Sequence, residues 1–195
     1  MEQYIEILGT IVGLIYLWQE YHASIHLWVT SIIMPAIYLY IYYNAGLYAD
    51  FGINIYYLAI AVYGWMAWRY SFTFTGNKEE GRKLTISHIK KRNILNLVVL
   101  FPILWIAIAL LLINLTDSTV PYTDAFTTAL SIIGMYMLAR KYIEQWWVWF
   151  FVDIVSSALY IYKELYFTAA LYSLYAIIAI FGYRKWKQIM RYENI

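Results

Sequence analysis

Seven apolar runs, each close to the roughly 20 residues that carry a helix across a bilayer and each closed by a short polar cluster, dominate this 195-residue chain. They fall near 4–19, 26–43, 51–69, 94–114, 124–139, 146–162 and 165–186. Inside lipid the backbone must satisfy its own hydrogen bonds, so such runs are expected to be helices. Only 13% of the residues are charged, against about 25% in a soluble domain, too few to cover the 63% that are hydrophobic. The expected fold class is therefore an all-α integral membrane protein, seven transmembrane helices in a single membrane domain over 1–195. Met1-Glu2-Gln3-Tyr4 lacks the positive charge that opens a cleaved signal peptide, so the first run is read as a mature helix. Ser71 to Arg92, the one long hydrophilic stretch, reads as a solvated connection.

With seven spans the loops alternate sides. Arg69, the basic residues of 78–92, Arg140, Lys141 and those of 184–191 then share one side, leaving Lys163 alone on the other. By the positive-inside rule the basic side is cytoplasmic, which puts the N-terminus outside and the C-terminus inside.

Shifting the chain by 118 residues aligns 4–68 with 122–186 and gives 13 identities in 65 positions, where composition alone would give roughly half as many. The matches include Thr10/Thr128, Trp28/Trp146, Tyr42/Tyr160, Leu47-Tyr48/Leu165-Tyr166, Tyr57/Tyr175, Gly64/Gly182 and Trp68/Trp186, and Glu6/Asp124 keeps an acid at each start. Two three-helix bundles, 4–69 and 122–187, are expected. Three crossings end on the face opposite their start, so a parallel second copy needs one more span. The almost purely apolar 94–114 supplies this linker, with lipid around it. In such 3+1+3 parallel repeats the solute path lies between the bundles near the midplane.

On the sixth run Trp146, Trp149, Asp153 and Tyr160 fall within about a 60° sector of a helix, with Ser156 beside it. Asp153 is the one acid near the middle of a span, where a carboxylate costs on the order of 3 kcal/mol. A cationic or hydroxylated solute, with the tryptophans stacked on its ring, would offset that cost. A helix–helix hydrogen bond or a neutral carboxyl would do so too. The third run aligns Asn54, Tyr57, Ala61, Trp65 and Trp68, and its repeat mate Tyr172, Tyr175, Ala179, Tyr183 and Trp186. Aromatic residues near span ends commonly form an interfacial belt, so Asn54, Tyr57 and Tyr175 are the stronger candidates. Trp28 is the counterpart of Trp146, and Pro35, read as a kink, that of Asp153. Glu20, His22 and His26 read as solvated loop residues. The expected solute-binding set is Trp28, Asn54, Tyr57, Trp146, Trp149, Asp153, Tyr160 and Tyr175.

Cysteine is absent, which removes disulfides and thiolate chemistry. No phosphate-cradling glycine loop, paired-histidine metal motif or nucleophile elbow is present, so neither an enzyme nor direct ATP-driven transport is expected, and no cofactor or metal is implied. A small-solute transporter is the leading reading, and a membrane sensor or scaffold the alternative.

Gly46-Leu47-Tyr48, Tyr63-Gly64-Trp65 with Trp68, Arg140-Lys141-Tyr142-Ile143-Glu144 followed by Trp146 and Trp149, and Gly182 with Trp186 together resemble the PnuC family of bacterial vitamin transporters over nearly the whole chain. The resemblance implies a SWEET-like seven-helix fold, a homotrimer, and facilitated diffusion of a vitamin trapped by a cytoplasmic kinase or pyrophosphokinase. Its best-known members carry nicotinamide riboside and show asparagine where this chain has Gln145 and Asp153, asparagine at Pro35 and glutamine at Asn54. A carboxylate in place of an amide suits a cation better than a sugar, and thiamine, carried by the related PnuT transporters, is the expected substrate, with nicotinamide riboside second.

Overall fold

The computed structural model describes residues 2–45, 48–71, 84–116 and 118–193. Its seven helices are α1 (Glu2–Tyr21), α2 (His26–Ala45), α3 (Tyr48–Tyr70), α4 (Lys91–Leu115), α5 (Pro121–Ala139), α6 (Gln145–Tyr162) and α7 (Tyr166–Glu193). Every expected helix is there, and α7 continues to Glu193 instead of stopping near 186. Among the described residues Phe51–Tyr70, Lys91–Leu115 and Tyr166–Glu193 are long and apolar enough to cross a membrane. Pro35 and Pro102 sit inside α2 and α4.

The chain divides into two compact units, Met1–Leu84 and Thr85–Ile195. In the first, α2 and α3 close on each other where Trp28 lies over Gly64. The Trp28 indole meets that of Trp68 edge to face, with centroids 5.5 Å apart at 87°. In the second, α6 and α7 close in the same way. Trp146 lies over Gly182 and meets Trp186 at 5.8 Å and 87°. All four tryptophans are buried.

The corners also repeat. Ala23 and Lys141, two residues past the ends of α1 and α5, are both left-handed, at φ 49° and 53°. Ala23 N–H donates to Glu20 O and Ser24 N–H to Gln19 O, each at 2.9 Å. Lys141 and Tyr142 donate in the same pattern to Leu138 and Met137, again at 2.9 Å. This paired closure satisfies the last carbonyls of a helix. Glu164 (φ 60°) ends α6 likewise; its repeat mate Gly46, with Leu47, lies outside the described residues.

The helix expected as a linker, α4, belongs to the second unit and packs along α5. Phe101 and Trp105 meet Phe126 edge to face at 5.4 and 5.8 Å, and Trp105 Nε1 donates to Tyr122 O at 2.9 Å. Ala109 is its one buried residue, and Leu95, Val98, Ile103 and Leu110 are exposed, as a helix facing lipid would leave them.

Two expectations need correction. Glu20 is not solvated but 2% exposed, although His22 and His26 are exposed. The end of the hydrophilic connection is not a free linker either. Ser87 bridges the α5–α6 corner, donating to Lys141 O and accepting from Ile143 N–H, both at 3.1 Å. Ile86 N–H donates to Glu193 Oε2 at 2.9 Å, and Ile86 is buried. Glu144 accepts from His88 Nδ1 at 2.7 Å and from the Ile89 N–H at 3.1 Å. Backbone N–H groups drawn against a protein surface need acceptors, and the carboxylates of Glu144 and Glu193 supply them. Residues 72–83, with Gly76, Asn77, Lys78 and Arg82, lie outside the described residues.

Candidate solute-binding site

The polar face of α6 turns inward. Asp153 is 7% exposed, Ser156 and Ser157 are buried beside it, and Trp149 and Tyr160 are half-buried. Glycine and alanine at the neighbouring positions of α5 and α7 make that approach possible. A Cβ on Gly134 would stand 3.2 Å from the Trp149 indole, so this glycine gives Trp149 its place against α5. On the α7 side Ser157 Oγ and Ser173 Oγ share a hydrogen bond at 2.8 Å, and Ala169 O lies 3.0 Å from each. These serines spend their hydrogen-bonding capacity on the helix contact.

Asp153 spends none: among the described residues it forms no hydrogen bond or ion pair. Its surroundings are phenolic. The carboxylate is within electrostatic reach of Tyr172 and Tyr175 on α7. Tyr160, in the last turn of α6, packs on Tyr172. Their rings lie 5.1 Å apart at 34°, and Tyr172 and Tyr175 are 5.7 Å apart. A buried carboxylate near Tyr172 and Tyr175, with Tyr160 packed on Tyr172, can take a cationic group at its oxygens and an aromatic face on its walls. Further toward the start of α6, Gln145 is fully buried with both amide atoms unpartnered among the described residues, as are Nε1 of Trp146 and Trp149. Buried polar groups normally find partners, so these donors and this acceptor are unusual in having none among the described residues.

The structure thus brings Trp149, Asp153, Tyr160 and Tyr175 into one unit and adds Tyr172 between them. Trp146 occupies the same helix face, but its ring is taken up by Gly182 and Trp186. Trp28 is likewise enclosed by Gly64 and Trp68 in the first unit, where Asn54 and Tyr57 are half-buried on α3 and Tyr57 lies 5.7 Å from Tyr56. Gln145 and the Ser157–Ser173 pair were not among the expected site residues. Polar side chains within apolar runs are the signal for the serines, and Gln145, just before the sixth run, stands where the PnuC resemblance has asparagine.

A cavity of about 590 Å³ opens between α4, α5 and α6, yet its α6 lining of Val148, Phe151 and Val155 is half a turn from Asp153. It is apolar and does not belong to the carboxylate site.

Residues 3–188 match the nicotinamide mononucleotide transporter family. The nicotinamide riboside transporter PnuC of Escherichia coli is 22% identical over 205 residues, covering 94% of this chain and 84% of that protein. The riboflavin/roseoflavin transporter RibM of Streptomyces davaonensis is 25% identical over 191 residues, covering 93% and 83%. In three dimensions the chain is similar to the crystal structure of the vitamin B3 transporter PnuC, with a TM-score of 0.68 and 20% identity across 93% of this chain and 80% of that one. With a family match across nearly its whole length and apolar helices to suit, this multi-pass membrane protein belongs to the nicotinamide mononucleotide transporter family, vitamin transporters rather than enzymes.

Proposed function

We propose that this chain carries thiamine across the membrane, with Asp153 as counter-ion to the vitamin's positive charge. The supporting observation is a nearly buried carboxylate with no protein partner among the described residues, near Tyr172 and Tyr175, with Tyr160 packed on Tyr172. A neutral flavin would leave that charge uncompensated. Trp149 is assigned as a stacking surface, Asn54 and Tyr57 as the first unit's contribution, and Trp28 and Trp146 as the residues that fix each unit's helix pair. Nicotinamide riboside is the second reading, favoured by the names of the relatives, and it too is an aromatic cation. A sensor or scaffold loses ground because the family consists of transporters.

On this reading the seven helices all span, as two like-oriented three-helix bundles joined by α4 in a SWEET-like 3+1+3 arrangement with the N-terminus outside and the C-terminus inside. The matching Trp–Gly–Trp contacts and corners support that repeat. Transport is facilitated diffusion by a homotrimer, completed by a cytoplasmic kinase or pyrophosphokinase that traps the vitamin.

Purified protein titrated with thiamine, nicotinamide riboside and riboflavin, followed by tryptophan fluorescence, tests the substrate. Thiamine is expected to bind in the micromolar range and most tightly. Micromolar binding of either other vitamin with none of thiamine overturns the proposal. Uptake into liposomes without an ion gradient tests the mechanism, and strict dependence on a proton gradient would contradict it.

A further inference from the structure

Solute transport as proposed leaves the groove between α4, α5 and α6 unused. Its walls include Leu97, Phe101, Phe126, Ile133, Val148 and Phe151, and among the described residues the sole ionisable one in the lining is Glu144 at one end. Both oxygens of that carboxylate are already engaged, by His88 Nδ1 and the Ile89 N–H, so it does not face the groove as a free charge. At about 590 Å³ the space is within the roughly 300–1,000 Å³ that holds a single organic ligand.

Length and charge identify the occupant. Along α6 the lining runs from Glu144 to Val155. At about 1.5 Å per residue that span is about 16 Å, half of a hydrocarbon core about 30 Å thick and hence the depth of one leaflet. Ile89 and Ile94 both line the same end, so Lys90, Lys91 and Arg92 stand at its mouth, and all three are exposed. Lys90 caps α4 without any side-chain acceptor for the first turn, which leaves that helix end to an external anion. Trp147 is at the rim, 43% exposed, in the manner of aromatic residues at headgroup depth.

We propose that this groove seats one acyl chain of an anionic phospholipid whose phosphate rests on Lys90, Lys91 and Arg92. A dry slot one leaflet deep, with three cations at its mouth, matches a lipid in both parts, whereas a peptide would need backbone hydrogen-bonding partners that these walls do not offer. The bound lipid fills the space beside α4 and ties the strapped segment 86–89 to the bilayer surface. The assignment does not depend on which vitamin is carried.

Native mass spectrometry of the full chain, mixed with equal phosphatidylglycerol and phosphatidylcholine of identical chains, tests it. Phosphatidylglycerol is expected to be retained on the order of tenfold better, with the preference lost in K90Q/K91Q/R92Q, whose changes are all at exposed positions. Val98→Trp, which fills the slot from a position 61% exposed, is expected to reduce retention of both lipids. Equal retention of the two lipids by the native chain overturns the proposal. So does unchanged retention in Val98→Trp, and so does a change in oligomer mass in that variant without loss of lipid, which would place a second copy of the chain there.

Discussion

Trp146 stands over Gly182 as Trp28 stands over Gly64, so one contact between a large ring and a missing side chain holds each unit's helix pair together. A Cβ at position 182 would lie 2.5 Å from Cη2 of Trp146, nearer than side-chain carbons approach. Gly182→Ala and Gly64→Ala are therefore expected to destabilise the protein by about 1–3 kcal/mol, the ordinary cost of overpacking. Gly52 on the same α3 has nothing within 4 Å of its would-be Cβ, and Gly52→Ala is expected to be neutral or to stabilise by about 0.5–1 kcal/mol. Unfolding midpoints in detergent check all three. Equal midpoints for Gly52→Ala and Gly182→Ala would mean that the ring contact is not what limits these positions.

Much of this was legible in the sequence because lipid simplifies the code. Apolar length alone marks a helix, and a gapless 118-residue shift aligns Trp28, Gly64 and Trp68 with Trp146, Gly182 and Trp186, the residues that make the matching contacts. What could not be read was which side of each helix the partner takes. Trp146 and Trp149 share a sector of α6, yet one is enclosed by α7 and the other lies against α5, because Gly182 and Gly134 sit on different neighbours. Segment 86–89 was opaque for another reason. Its fixing bonds come from backbone N–H groups, which carry no residue-type signal, to Glu144 and Glu193, respectively 55 and 107 residues away.

Glu144 carries that strap by two contacts of unequal worth. Its bond to His88 is between partly exposed side chains and is worth about 0–1 kcal/mol, whereas the Ile89 N–H is part-buried and gives a charge-assisted bond worth about 1.5–3 kcal/mol. His88→Ala is accordingly expected to leave stability nearly unchanged, and Glu144→Ala to lower it by about 1–3 kcal/mol. Hydrogen exchange at the Ile89 amide is the direct readout. Exchange there that is as slow in Glu144→Ala as in the native chain would assign the strap to other bonds.

Replacing Asp153 by asparagine keeps the shape of the site and removes its charge. If the carboxylate pairs with a cationic vitamin, losing a charge-assisted contact of about 1.5–3 kcal/mol weakens binding by roughly 10- to 100-fold. Stability should hold or rise, since no protein group among the described residues loses a partner. Thiamine titration together with the unfolding midpoint separates the two effects. An unchanged affinity with a lowered midpoint would make Asp153 a structural residue.

Trp149 and Trp146 offer the sharpest contrast. Trp146 is buried between Gly182 and Trp186, and Trp146→Ala is expected to cost about 3–5 kcal/mol as a core truncation. Trp149 is half-buried on the Asp153 face, and Trp149→Ala is expected to cost less stability but to lower solute affinity by about 1–2 kcal/mol through the lost ring. Gly134→Val reaches the same site without replacing either tryptophan. Its Cβ would press at 3.2 Å on the Trp149 indole, with the added methyls going further, and so turn the ring from its seat. Affinity should fall in Gly134→Val as in Trp149→Ala, and the double variant should fall no further than Trp149→Ala alone, since the ring through which the valine acts is gone. Additive losses would mean that position 134 reaches the solute by another route.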